Sequence, residues 1–526
     1  MNISSGTETQ SRDRVWLFVI LLAALAANLF FLRFEKIITP DEGYYLRMGQ
    51  HLHAGGKYGD FDFKPTKHKG QPLVPYLFSF SPATGRALIA QGRGISMSAG
   101  LFTLILFYAC ARFFMKSREA LISTSLLALS PFYIQASIWA MTHSFLMLFL
   151  MAGLYFSLQL EIKKARAAVF TGALFWAAYM VRVEAVLFVL AFSLGLFLFN
   201  EKGGWAKLKA PLLILLTFFI LCLPVWKRIH QETGVWHLTW TQGLGVGDIL
   251  EWRWSMMKIP EATGGAHFLL YYLRFLKTAF FQLPGILPLP FWILSALGTG
   301  EILTRRPDLA SPFWRLLLFA LIPFGIYPAL AALDPRFFYP VLMFALMPAG
   351  AGLTPLKKIT SVLLGPVSRA KIFQKIPGRI WLFGAAVVCF VPAYANLVTG
   401  YRQEPQEQKE IGEWLARHRS SPYAMLGSDQ RACFYAGRAC LKFIPIGHAL
   451  AALREKEESL EDFFKRSGIF VIAYDTRYGK KRHPEFQSML QGLSRARLRQ
   501  AAQTSYQGEE ITLYDWLPEL HDPQPT

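Results

Sequence analysis

Thr39-Pro40-Asp41-Glu42 places two consecutive carboxylates just behind an apolar run that ends near Leu32. Such a pair can act on a proton or open a helix. Thr39 with Glu42 three residues on forms a capping box, and Pro40 suits the first helical position. Gly55-Gly56 would end that helix. Acids in a first turn gain about 0.3–1 kcal/mol from the helix dipole, so a structural role competes with a chemical one. Downstream, Lys64-Pro65-Thr66-Lys67-His68-Lys69-Gly70-Gln71-Pro72-Leu73 is a basic, proline-bounded loop. It suits an anionic headgroup at a membrane surface, or is simply solvated. His143 follows Trp139 and Met141, Arg182 and Glu184 sit between two apolar runs, and Asp334-Pro335-Arg336-Phe337-Phe338-Tyr339-Pro340 forms a tight turn. Each has a plain reading: a packed imidazole, two side chains that neutralise each other, an arginine reaching to the interface. Ionisable residues at a span centre cost about 2.5–3.5 kcal/mol on insertion scales, so groups gathered near one face of a membrane protein mark a candidate site.

The elements that position these residues are apolar stretches long enough to cross a bilayer, which takes about 20 residues each. They read as about eleven spans near 15–34, 94–114, 119–136, 140–160, 168–183, 184–200, 210–227, 284–303, 314–332, 337–355 and 380–398. The pair meeting near 183 is short. Arg12 and Arg14 precede the first run, and Ala24-Leu25-Ala26 resembles a signal cleavage site, but the run continues through Leu32 and is read as a retained anchor. With the N-terminus inside, the inside loops hold Arg112, Lys116 and Arg118; Lys163, Lys164 and Arg166; Lys202, Lys207 and Lys209; Arg305, Arg306 and Arg315; and Lys357 through Arg379. That is the positive-inside pattern. It leaves the candidate residues above, two long loops (33–93 and 228–283) and the C-terminus outside. The second long loop carries Trp236, His237, Trp240, Trp252, Arg253, Trp254, Tyr271 and Tyr272. Such residues populate bilayer interfaces and also stack on sugars.

Composition agrees. The chain of 526 residues is 53% hydrophobic and only 17% charged, against about a quarter charged in soluble domains. A net charge of +20 would suit nucleic acid, but the basic residues are dispersed between spans and form no stripe, so nucleic acid is excluded as a partner. From about Tyr401 charge rises and no span-length run remains. Glu410–His418 reads as an amphipathic helix; Tyr423–Leu426, Ile469–Tyr474 and Ile511–Trp516 read as strands. The fold class is therefore mostly α, a polytopic bundle over residues 1–400 with a small extracytoplasmic α/β domain at 401–526. Cys433 and Cys440 lie in that domain, as a short-loop disulfide or as two thiols.

The arrangement resembles the GT-C superfamily of polytopic glycosyltransferases, in particular the bacterial protein-mannosyltransferase-like and aminoarabinose lipid A transferase-like branch. The resemblance rests on Pro40-Asp41-Glu42 after the first span and on His68-Lys69-Gly70-Gln71-Pro72-Leu73, similar to a Lys-Pro-Pro-Leu segment with its first proline replaced. It rests further on Arg93-Gly94-Ile95-Ser96 opening span two, Ser130-Pro131, and Arg336-Phe337-Phe338-Tyr339-Pro340, similar to an Arg-Tyr-x-x-Pro turn. Several relatives carry an Asp where this chain has His143, so Glu42 or Glu184 would have to substitute in any two-carboxylate arrangement. The resemblance implies transfer of a hexose or pentose from a polyprenyl-phosphate donor to a lipid, glycan or protein acceptor, with inversion, at the outer face of a bacterial inner membrane. It implies Asp41 as base with Glu42 second, and Lys69, Arg336 and Arg182 on the leaving phosphate. His143, Glu184 and His68 are further site candidates. A divalent cation such as Mg2+ or Mn2+ fits that chemistry without being required by the residues. The competing class is a transporter or flippase, which usually shows inverted repeats and midplane ion sites; no repeat is visible in the sequence.

Overall fold

The first helix, α1 (Ser4–Leu32), is apolar from Val15 onward, and Val15, Phe18, Leu22 and Phe30 stand exposed along it. Only a bilayer makes such a surface comfortable. The computed structural model describes residues 4–33, 38–58, 71–80, 82–199, 206–233, 287–330, 335–356 and most of 406–516, with isolated positions between 277 and 395. These residues divide into two units. One comprises residues 1–34, 68–73 and 94–399; the other comprises 35–67, 74–93 and 400–526.

In the first unit the helices after α1 follow the apolar runs. With α2 (Pro40–His53) and α3 (Leu73–Ser79) assigned mainly to the second unit, they are α4 (Gly85–Phe114, of which 94–114 belong to this unit), α5 (Ser117–Ala128), α6 (Pro131–Ile138), α7 (Thr142–Ser157), α8 (Leu160–Val181), α9 (Ala185–Leu198) and α10 (Ala206–Thr233). Then come α11 (Leu289–Arg305), α12 (Ala310–Leu330) and α13 (Tyr339–Leu346). Among the described residues four helices are long and apolar enough to cross a membrane, or five if a bent pair is one span. The protein is thus a multi-pass membrane protein. The expected spans at 140–160, 168–183, 184–200 and 337–355 appear as shorter apolar helices, and the expected span at 380–398 lies almost wholly outside the described residues.

The stretch 119–136, read from the sequence as one helix, is two. α5 and α6 meet at a 63° bend. Pro131 forces it: the residue before a proline is steered out of the helical region, and Ser130 is extended at φ −73°, ψ 134°. α8 and α9 likewise part at Arg182, extended at φ −151°, ψ 132°. Close packing uses small residues, as membrane bundles do. A side chain on Gly298 of α11 would overlap the Pro348 carbonyl, and one on Gly350 would overlap the Glu119 carbonyl. Ser123 of α5 joins the same contact: its hydroxyl donates to the Met347 carbonyl (2.7 Å) and accepts from the Gly350 amide (2.9 Å).

The second unit is built on a five-stranded sheet of order β2-β1-β3-β5-β4. In chain order it holds α14 (Gln406–His418), β1 (Tyr423–Gly427), α15 (Gln430–Tyr435), β2 (Cys440–Pro445), α16 (Ile446–Lys456), α17 (Leu460–Ser467), β3 (Ile469–Asp475), α18 (Pro484–Gly492), β4 (Leu498–Tyr506) and β5 (Glu509–Trp516). β1 pairs in parallel with β2 and β3, whereas β5 runs antiparallel to β3 and β4. One face of the sheet buries Leu426, Ile444 and Ile472 against Leu450, Phe464 and Phe486. Gly468 ends α17 at φ +62°, a left-handed conformation glycine adopts without strain.

α2 and α3 also belong to this unit. Within it, α2 packs on α15. Arg47 of α2 donates through Nη2 to the Cys433 and Cys440 carbonyls (3.1 Å each) and to the Gly437 carbonyl. The Ile38 amide donates to the Tyr435 hydroxyl at 2.9 Å. Cys433 and Cys440 are disulfide-bonded, which closes the loop whose carbonyls Arg47 gathers.

Candidate functional site

The residues that matter in the first unit collect around the N-terminus of α7. Met141 is its N-cap, and among the described residues no side chain caps the helix there. A helix N-terminus carries partial positive charge and favours an acceptor. Arg182, held at the α8–α9 break, reaches this end: its Nη1 lies 3.3 Å from Thr142 Oγ1 and 3.3 Å from His143 Nε2. Its other edge is paired with Glu184, Nη2 to Oε1 at 2.8 Å and Nε to Oε2 at 3.3 Å. Arg336, in the short 3-10 turn Pro335–Phe338 before α13, approaches from another side, with Nη1 3.9 Å from Met141 Sδ. Two guanidiniums thus meet one helix end.

His143 completes the cluster. It is 3% exposed. A guanidinium can only donate, so the imidazole receives Arg182 at Nε2 and carries its proton on Nδ1. Among the described residues Nδ1 is buried with no hydrogen-bond partner, and so is the neighbouring Ser144 hydroxyl. Buried donors are normally satisfied; these two await an acceptor. Tyr339 packs on the imidazole at 5.6 Å between ring centroids and donates its hydroxyl to Gln135 Oε1 at 2.5 Å.

In the second unit the capping box forms as the sequence predicts. The Glu42 amide donates to Thr39 Oγ1 (3.2 Å), and the Thr39 amide donates to Glu42 Oε2 (2.8 Å). Glu42 also accepts two bonds from Arg93, Nε to Oε1 at 3.0 Å and Nη2 to Oε2 at 3.2 Å. The pair is sealed, the two side chains being 0% and 5% exposed. Adjacent positions on a helix differ in direction by about 100°, so Asp41 is exposed where Glu42 is buried.

The structure therefore brings four of the expected residues together, His143, Arg182, Glu184 and Arg336, and places Asp41 and Glu42 at the start of α2. His68 and Lys69 lie outside the described residues, as do Asp334 and the aromatic residues of loop 228–283. Among the described residues no three His, Cys, Asp or Glu side chains gather to hold a metal ion.

A family model described as dolichyl-phosphate-mannose-protein mannosyltransferase matches residues 66–227. The structure is similar to that of ArnT from Cupriavidus metallidurans in the apo state (TM-score 0.60, 15% identity, 97% of this chain and 99% of that one). It is also similar to the Archaeoglobus fulgidus oligosaccharyltransferase in complex with Zn and sulfate (TM-score 0.56, 15% identity, 89% and 69%). The same archaeal enzyme, AglB, in complex with an inhibitory peptide and a dolichol-phosphate, gives TM-score 0.53, 14% identity, 97% and 75%. A comparison with the curated proteins finds no match. The fold is that of the GT-C glycosyltransferases.

Within this GT-C fold the motif residues Arg93 and Arg336 occupy defined places, one sealed against Glu42 and one at the α7 terminus. Reading the sequence missed Arg93 as a partner of Glu42, because 51 residues separate them. It also missed Thr142, Ser144 and Gln135; their one signal is a polar residue within an otherwise apolar run, on either side of His143. A cavity of ≈ 380 Å³ opens between α11, α12 and α13, lined by Trp292, Thr299, Leu316, Phe324, Val341 and Phe344 among others. It is almost wholly apolar, and α13, which follows directly on the Arg336 turn, forms one wall.

Proposed function

We propose that the protein transfers a sugar from a polyprenyl-phosphate donor to an acceptor hydroxyl, with inversion at the anomeric carbon. The observation that carries this reading is the convergence of Arg182, Arg336 and the α7 N-terminus around a buried His143 whose Nδ1 lacks a partner among the described residues. When the bond between the anomeric carbon and the donor phosphate breaks, the lipid phosphate departs with the bonding electrons and a full negative charge. Two guanidiniums and a helix N-terminus are suited to receive it, and the Nδ1 proton of His143 supplies a further donor. Glu184 takes up one edge of Arg182 and fixes its orientation. Asp41, exposed in the first turn of α2, is the base that takes the proton of the attacking hydroxyl. Glu42 keeps to its ion pair with Arg93 and holds the helix start. His68 and Lys69, in the stretch that resembles the family's Lys-Pro-Pro-Leu segment, are assigned to the donor phosphate.

The apolar cavity between α11, α12 and α13 suits the isoprenoid tail, so the donor need not leave the bilayer. A dolichol-phosphate occupies the structurally similar archaeal enzyme. The Cys433–Cys440 disulfide supports an extracytoplasmic second unit, since disulfides persist in oxidising compartments; in a bacterium that compartment is the periplasm.

The experiment is turnover of polyprenyl-phosphate-linked sugars by purified protein, read as free polyprenyl phosphate, beside mass spectrometry of envelope glycans with and without the protein. An Asp41→Asn protein should bind donor and release none. Envelope glycans that stay unchanged, with every donor's glycosidic bond intact, would sink the transferase reading. Movement of intact donor across vesicles would then favour the flippase.

A further inference from the structure

A second hollow lies in the α/β unit, apart from every residue assigned above. It has a volume of ≈ 540 Å³ and is lined by Trp414, His418, Arg419, Arg499, Gln500 and Asp515, with Ser420, Ser421 and Ala501. It sits where α14 ends, beside the start of β4 and the end of β5.

Its chemistry is built on one buried carboxylate. The Asp515 side chain is 3% exposed. Its Oδ2 accepts from Arg499 Nη2 at 2.9 Å, across the strand pair in which Arg499 and Asp515 are opposite one another. Its Oδ1 pairs with Arg419, which follows α14. A guanidinium has five N–H donors, and each arginine spends Nη2 on this carboxylate. Among the described residues neither guanidinium has another ion-pair or hydrogen-bond partner. The remaining donors line the hollow, and the trio keeps one net positive charge. Beside it, the His418 ring stacks on Trp414 (4.3 Å between centroids, 19° between planes). His418 Nδ1 lies 2.9 Å from the Trp414 carbonyl, which can only accept. The imidazole therefore donates there and presents Nε2 outward. The register of β4 against β5 shifts between Gln500 and Ala502, a bulge of the kind that re-aims side chains next to sites.

A purely structural ion trio explains the burial of Asp515. It does not explain spare guanidinium donors around an open hollow, nor the aromatic wall beside them. Planar guanidiniums match phosphate and carboxylate oxygens in bidentate fashion. The electron-rich face of an aromatic stack attracts the polarised C–H face of a sugar ring. We propose that this pocket binds an anionic saccharide, a sugar bearing a phosphate or carboxylate, with the charge on Arg419 and Arg499 and the ring against Trp414 and His418. That it serves the acceptor rests on the transferase reading; the binding itself does not.

The test is calorimetric titration of the full-length protein in detergent, without donor, with glucose 6-phosphate, glucuronate, glucose and inorganic phosphate as probes. Because no turnover is read, failure of this proposal and failure of the transferase reading are separable. The two charged sugars should bind at least about tenfold tighter than glucose, the loss of one charge-assisted hydrogen bond being worth that much. Arg499→Gln and Trp414→Leu should each weaken them by about tenfold. Arg499 is 67% exposed along its side chain and leaves Arg419 on Asp515, so the first variant keeps the anchor; the second acts on the other half of the pocket. No heat with either charged sugar, or equal binding in both variants, would overturn the proposal. Inorganic phosphate binding as tightly as the sugar phosphate would reduce the hollow to a bare anion site and overturn it equally.

Discussion

Replacing Arg93 by methionine tests what holds the start of α2. Glu42 accepts from Arg93 at 3.0 and 3.2 Å and from the Thr39 amide at 2.8 Å, with the carboxylate wholly buried. Removing the guanidinium breaks a buried ion pair, which costs about 3–5 kcal/mol. For a unit of 150–250 residues that corresponds to a fall in melting temperature of about 6–20 °C. Glu42→Met alone should cost a similar amount, since it breaks the same pair from the other side. The double variant removes both charges and replaces them with apolar groups of similar length. It should be clearly more stable than the sum of the single losses predicts, with a coupling of about 2–3 kcal/mol. The assay is thermal unfolding in detergent, followed by the far-ultraviolet signal of all four proteins. Single effects that simply add in the double variant would refute the claim that the two side chains form one sealed pair. So would an Arg93→Met protein that melts with the wild type.

Other outcomes follow from the same geometry. Asp41→Asn changes an exposed side chain, so melting should stay within about 0.5 kcal/mol of the wild type while turnover falls by about 10²–10⁴-fold, the usual worth of a general base. Arg182→Gln and Arg336→Gln should each lower turnover per donor bound by about 10- to 100-fold, as loss of a charge-assisted hydrogen bond predicts; unchanged donor kinetics in both would remove the phosphate from the α7 terminus. Paired replacement of Cys433 and Cys440 by alanine should destabilise by about 2–3 kcal/mol and loosen α2, read as faster amide exchange over residues 40–53. Pro131→Ala should straighten the α5–α6 bend, seen as altered spacing between spin labels placed on the two helices.

What the sequence made legible was chemistry that is local along the chain. The capping box at Thr39–Glu42 appeared as expected because its donors and acceptors are three residues apart. The α8–α9 break near 183 was readable from the length of the runs. In the α/β unit the three strands anticipated, β1, β3 and β5, are the inner ones of the sheet. The two that escaped notice, β2 and β4, are its edges. An edge strand is half solvated, and Lys442 in β2 and Arg499, Gln500, Gln503 and Ser505 in β4 interrupt the apolar pattern. The bend at Pro131 was hidden because apolar residues continue on both sides of it. The sequence ranked Asp41 ahead of Glu42 as base, and the fold separates them further by burying Glu42 against Arg93 while Asp41 stays exposed. The cluster of His143, Arg182 and Arg336 was foreseeable as members, not as a geometry, since the contacts span 39 to 195 residues of chain.

The three carbonyls that Arg47 gathers lie 386 to 393 residues farther along the chain. At translation rates of about 5–20 residues per second, α2 therefore waits about 20–80 s for its fastening to be made. During that interval the guanidinium of Arg47 has yet to meet these carbonyls. The segment 433–440 thus decides when α2 is fastened to the sheet unit, and a ribosome that stalls before residue 433 leaves that fastening unmade.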